Sequence, residues 1–190
     1  DAAPAVWEAM SERLGADGIL TGKGGDVAFL QTASSSILAD ELRDRGPTAL
    51  FGSTAPVLAR RLRRSAWRTL RAACLAARHP RPYAPLDNPL LHPDVRQGVG
   101  DPHPWLTNLE DLGPAKRQQI LGFASNLGLH SLSERNQRAV LLHPALSQPV
   151  MEAVLATPAY VLTRGGHDRR LARDAFEDRL PPSLVQRRSK

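Results

Sequence analysis

Only one stretch of this chain, Asp17-Gly18-Ile19-Leu20-Thr21-Gly22, reads as a β-strand, short and apolar as a buried parallel strand would be. A parallel strand needs neighbours, and no other segment presents itself as one. The remaining signal is helical, which predicts a mainly helical α/β fold whose sheet is not fully supplied by these 190 residues. The strand runs straight into Gly22, Gly24 and Gly25, with Asp26 behind them. Glycines at the exit of a strand let the backbone turn sharply and let a ligand approach closely. A helix starting there offers free N–H groups to an anion, and an acid beside that anion points to a metal between them. The local reading is a phosphate-plus-magnesium corner; the competing one is a tight turn with a solvated aspartate.

Helical periodicity predicts the other elements. Residues 4–15 place Val6, Trp7, Met10 and Leu14 on one face and stop at Gly15. Beyond the corner, residues 27–46 read as a helical turn and then a helix ending at Gly46. Residues 52–78 read as one long helix, entered at Ser53 or Thr54 with Pro56 in its first turn. Residues 79–105 hold seven prolines and predict a packed irregular loop. Helices follow at 114–127, with Ile120, Leu121 and Ala124 inward, and at 148–156. A last helix within 168–180 is stopped by Pro181-Pro182.

Composition removes several classes of function. The single cysteine, Cys74, excludes an internal disulfide and any cysteine-based zinc cluster, and reads as buried filler. None of the six histidines (His79, His92, His103, His130, His143, His167) pairs at metal-ligand spacing. No Gly-x-Ser-x-Gly elbow offers a hydrolase nucleophile. With no apolar run of about 20 residues and no signal peptide, neither a membrane span nor export is expected, and the expected location is cytoplasmic. The net charge of +6 comes from arginine, since lysine occurs only at Lys23, Lys116 and Lys190. Taken as one helix, Arg60, Arg61, Arg63, Arg64, Arg68 and Arg71 spread over much of the circumference, with only Trp67 available for base stacking. They read as a solvated face, with polyanion or acidic-peptide contact as the alternative; nucleic acid is not expected as a partner.

The segment "LTGKGGDVAF" resembles the Ser/Thr-Gly-x-Gly-x-Asp-x-x-Phe motif of the asparagine synthetase family's ligase domain. Downstream, "HPALSQPVMEAVLATPAYVLTRGGHDRRLARDAFEDRLPPSLVQRRSK" is similar to the closing segment of the same domain. "LSQPVME" and "GGHDRRLARDAF" lie nearest to the lasso-peptide macrolactam synthetases. The resemblance implies that residues 1–190 are the C-terminal part of an ATP-pyrophosphatase (PP-loop, adenine nucleotide hydrolase-like) domain. It implies ATP-dependent amide formation through an acyl-adenylate, with ATP and Mg2+ as cofactors. Peptide macrolactam formation is favoured; the alternatives are asparagine synthetase proper and a non-catalytic helical module that binds a peptide or protein. The implied partners are a peptide or amino-acid carboxylate substrate and a leader-peptide-binding or protease protein.

By the same resemblance Thr21, Gly22, Gly24 and Gly25 shape the backbone around ATP and its pyrophosphate, and Asp26 binds magnesium. Lys190 matches a lysine that neutralises charge on the adenylate and the tetrahedral intermediate, a role commonly worth ~3–4 kcal/mol. Lys23 stands where asparagine synthetases carry glutamate and β-lactam synthetases tyrosine, and a lysine is a poor base unless desolvated. That disfavours ammonia as the nucleophile. Pro144-Ala145-Leu146-Ser147 replaces Pro-Phe-Leu-Asp. The Ser-Gly-Gly-x-Asp-Ser loop that grips the triphosphate, and an N-terminal glutaminase cysteine, do not occur in these residues. These residues alone are therefore expected to be inactive.

Overall fold

The computed structural model describes residues 9–10, 12–31, 33–78, 103–128 and 140–185, which form a mainly helical α/β arrangement with one small sheet. The expected strand is β1 (Gly18–Leu20). It pairs in parallel with β2 (Val140–Leu142), in the register Gly18↔Val140, Ile19↔Leu141 and Leu20↔Leu142. The short helix α1 (Gly25–Ala28) follows the glycine corner.

The core is built around α2 (Ser35–Arg45), in which the six consecutive residues Ser36 to Glu41 are all buried. A helix buried on every side lies inside the fold rather than on it. Ser34 caps its start, accepting from the Ser36 N–H at 3.2 Å, and Gly46 at φ 62° ends it. A 3-10 segment (Gly46–Phe51), α3 (Thr54–Arg61), α4 (Ala66–Arg78) and α5 (Pro114–Gly128) surround it. After β2 come α6 (Gln148–Ala156), α7 (Ala159–Leu162), α8 (Arg170–Ala175) and α9 (Pro182–Val185). Leu38, Leu58, Phe123 and Leu162 are almost wholly buried, and each such side chain stabilises the fold by about 2–3 kcal/mol.

Several sequence expectations need correction. β1 does have a neighbour: β2 is only three residues long, too short for its alternation to register. Nor is the pair buried, since Leu20, Val140 and Leu142 on one face are exposed. The expected helix over 52–78 is two helices, because Arg63 takes the left-handed conformation at φ 51°. Neither proline nor glycine marks that break. In α5 the buried positions are Ala115, Gln119, Phe123 and Ala124, while Ile120 and Leu121 are only half-buried. A glutamine takes the place expected for an aliphatic side chain. Met10 and Leu14 are exposed, and Val6 and Trp7 lie outside the described residues. The last helix ends at Ala175, before the prolines, and Pro182 opens a further helical turn. Most of the proline-rich loop lies outside the described residues, and Cys74 is half-buried.

Three polar side chains tie the helices together. Asp40 of α2 caps α5, accepting from the N–H groups of Ala115 and Lys116 at 3.0 Å each. Gly113 permits the approach, for a Cβ there would collide with the Asp40 carboxylate. Lys116 Nζ donates to the carbonyls of Val154 (3.1 Å) and Thr157 (2.6 Å) at the end of α6, and to Gln119 Oε1 (2.7 Å). Gln119 Nε2 in turn donates to the carbonyl of Ala28 at 2.9 Å, at the end of α1. Burial pushes the Asp40 carboxyl up from 3.8 to about 6 despite its two N–H donors, and pushes Lys116 down from 10.5 to about 8.

The folded state therefore holds the Asp40 proton more tightly than the unfolded chain does. Its contribution to stability falls as pH rises from 3.8 to about 6. For Lys116 the unfolded chain holds the proton more tightly, and stability rises with pH between about 8 and 10.5. Asp40→Asn should lower the melting temperature at pH 4, and its deficit relative to the parent should shrink by roughly 2–3 kcal/mol by pH 7. Parallel denaturation curves at the two pH values check this; a deficit independent of pH contradicts the burial argument.

Candidate functional site

The glycine corner sits where both parallel strands end. β1 exits into Thr21 and β2 into His143; the Thr21 N–H donates to the Leu142 carbonyl at 2.9 Å, and the Thr21 hydroxyl shares a hydrogen bond with His143 Nδ1. The Lys23 N–H donates back to Thr21 Oγ1 at 3.3 Å. Gly24 is buried at φ 82°, and a Cβ there would be driven into Leu146. This glycine is demanded by the fold. Gly22 and Gly25 are different: neither has a left-handed φ, and a Cβ on either would meet nothing within 4 Å. Packing gives no reason for glycine at those two positions, so the space above them is open to a ligand.

The turn before α8 supplies a third segment. Gly165 (φ 76°) and Gly166 (φ 110°) press against α3, where a Cβ on Gly166 would lie 2.6 Å from Leu58 Cδ2. Arg61 of α3 holds the turn through the Gly166 carbonyl (2.9 Å) and through Asp168. So anchored, Arg169 donates its N–H to the Leu30 carbonyl at 3.2 Å, and its guanidinium pairs with Asp26 Oδ1 at 3.1 Å. Leu30 (φ 53°) and Arg169 (φ 48°) are both left-handed without being glycine, at about 1–2 kcal/mol each. Such strain collects at functional sites.

Asp26 is half-exposed at the rim of a cavity of about 410 Å3, lined by Leu30, Gln31, Ser34, Ile37 and Gln119 among others. With its amide turned to satisfy both groups, Gln31 donates to the two carboxylate oxygens at 2.6 and 2.7 Å. Among the described residues no group of three His, Cys, Asp or Glu could cage a metal. A single half-exposed carboxylate suits a magnesium ion that keeps its waters and arrives with phosphates, not one held by protein alone. Asp26 fits such an ion.

Of the residues picked from sequence, the structure gathers Thr21, Gly22, Lys23, Gly24, Gly25 and Asp26 at one corner, and brings His143 and Leu146 of the closing segment onto it. Lys190 lies outside the described residues. Arg169 was missed, because it sits in a run of arginines and only the turn geometry singles it out. Gln119 was missed too, as a polar residue at a core position of α5.

A glycine-bearing corner and a charged pair at the carboxyl ends of parallel strands define an α/β protein of the kind that binds its ligand there. The chain belongs to the asparagine synthase family, whose model matches residues 2–190. Membership supports ATP-dependent amide ligation in general. No curated protein and no solved structure matches the chain.

The two kinds of glycine should separate in the laboratory. Gly24→Ala should cost roughly 2–4 kcal/mol, from left-handed strain and overpacking against Leu146. Gly22→Ala should stay within about 0.5 kcal/mol of the parent. Thermal and urea unfolding of both variants decides; equal losses would mean that Gly22 also serves the backbone.

Proposed function

We propose that the corner binds the pyrophosphate portion of ATP during amide-bond formation through an acyl-adenylate. The observation that carries this reading is the open backbone at Gly22 and Gly25, glycines without a packing role beside Asp26 and Arg169. A substrate carboxylate oxygen attacks the α-phosphorus of ATP, forming the acyl–phosphate bond as pyrophosphate leaves. An amine nitrogen then attacks the acyl carbon, AMP departs with the bonding pair, and the amine proton passes to solvent. Magnesium, held by Asp26, would neutralise the departing pyrophosphate.

In this reading Arg169 has two states. It pairs with Asp26 in the free protein, and turns to the phosphates when the metal takes its place on the carboxylate. The planar fork of arginine suits phosphate oxygens as well as a carboxylate. Lys190 is proposed, from the resemblance alone, as the cation facing the adenylate. The cavity beside Asp26, lined by amides and Ser34, is the proposed seat of the carboxylate substrate. A peptide closing on its own amine, as in macrolactam formation, agrees with Lys23 standing where an ammonia-using enzyme carries glutamate. A peptide substrate would also bring a leader-binding or protease partner.

ATP–pyrophosphate exchange in the intact gene product tests the assignment. Asp26→Asn should abolish magnesium-dependent exchange while melting changes by less than about 1 kcal/mol, because the ion pair it loses is exposed. Arg169→Met should weaken exchange without abolishing it. Lys190→Met should leave nucleotide affinity intact and stall product formation, since the interaction it loses belongs to the transition state. Exchange at the parent rate in Asp26→Asn would reduce the corner to a turn.

A further inference from the structure

The break at Arg63 resets the phase of the helix that follows, and this changes what the arginines do. Within α4, Trp67, Arg68, Arg71, Leu75 and Arg78 fall inside about 100° of arc at 3.6 residues per turn. All five are exposed, with Trp67 at 80% and Leu75 at 52%. The opposite arc carries the buried Thr69 and Ala73, with Leu70, Ala76 and Ala77 packed against the core. Arg64, two residues before the helix, is exposed as well. From Gly46 to Arg78 there are seven arginines and no acidic residue. Among the described residues none of Arg64, Arg68, Arg71 and Arg78 has a carboxylate partner. By contrast Arg61, Arg164, Arg169 and Arg170 are all paired.

We propose that this face of α4 is a docking surface for an acidic amphipathic segment of a partner protein, one that sets carboxylates against the arginines and an apolar side chain against Trp67 and Leu75. The complementarity is specific in two respects, and two other partners fit the face less well. The face is convex and about 20 Å long, which matches a partner helix or extended segment rather than a small ligand. An unpaired arginine stripe interrupted by indole and leucine offers both polar bonds and a desolvated anchor, and tryptophan and arginine are the side chains that carry most interface energy. An anionic bilayer would need a broad apolar face, but the apolar face of α4 is already used against α2. Single-stranded nucleic acid would need a run of stacking rings, and the face holds one. The proposal is independent of the chemistry assigned to the glycine corner, which lies on other elements.

The test uses fluorescence anisotropy of a labelled 20-residue acidic peptide with leucines at helical spacing. The comparison probes are an equally charged peptide without leucines, a single-stranded oligonucleotide, and phosphatidylserine-containing vesicles. The leucine-bearing peptide should bind best, weakening with salt. Its affinity should drop roughly tenfold or more in the triple variant Arg68→Ala/Arg71→Ala/Arg78→Ala, and again in Trp67→Ala. Every substituted residue is exposed, and circular dichroism checks that each variant keeps its helices. Tighter binding of the oligonucleotide or of the vesicles would overturn the proposal. So would equal binding of the peptide without leucines, or unchanged affinity in either variant.

Discussion

The Asp40 carboxylate at the start of α5 is the contact on which the other helices depend. It fixes α5 against the buried helix α2, and so fixes Lys116, whose ammonium gathers the last carbonyls of α6. Through Gln119 the same network holds the end of α1, the helix that carries Asp26. One buried acid thus relates the glycine corner to the centre of the fold over four elements. The cost is visible in the chemistry: both ionised groups are disfavoured by burial and are retained because each satisfies backbone groups that nothing else reaches.

Much of this was legible from residues alone wherever the signal is local. Gly46 and Pro114 mark helix ends through backbone chemistry, and they mark them in the structure. Gly22 to Asp26 announced a sharp turn after β1, because glycines at the exit of a strand let the backbone bend there. What escaped was set by tertiary context. β2 spans three residues and is recognisable only opposite β1. The break between α3 and α4 rests on an arginine in a left-handed conformation, which no propensity favours. The buried Gln119 looks wrong for a core until its partners, the Ala28 carbonyl and Lys116, are in place.

The site itself is a meeting of three segments, each held by a different device. Thr21 to Asp26 hangs on β1, His143 to Leu146 follows β2, and Arg169 is delivered by a glycine pair wedged against α3. Sequence similarity could group all three as motifs. It could not show that Leu146 fills the space which the missing Cβ of Gly24 leaves, or that Asp26 and Arg169 face each other.

The parallel pairing of β1 with β2 also fixes an order of assembly. Thr21 and His143 stand 122 positions apart, so the corner cannot close until the chain between them has been made. Contacts of such separation carry the largest loop-closure cost and are the slowest to form. The helices around α2 draw on nearer neighbours and can gather first. Late closure also means early opening: a fluctuation that parts the two strands dismantles the corner while the helical core stays intact. Loss of the corner would then precede loss of fold, and the two would be separable in hydrogen exchange as distinct events along one chain.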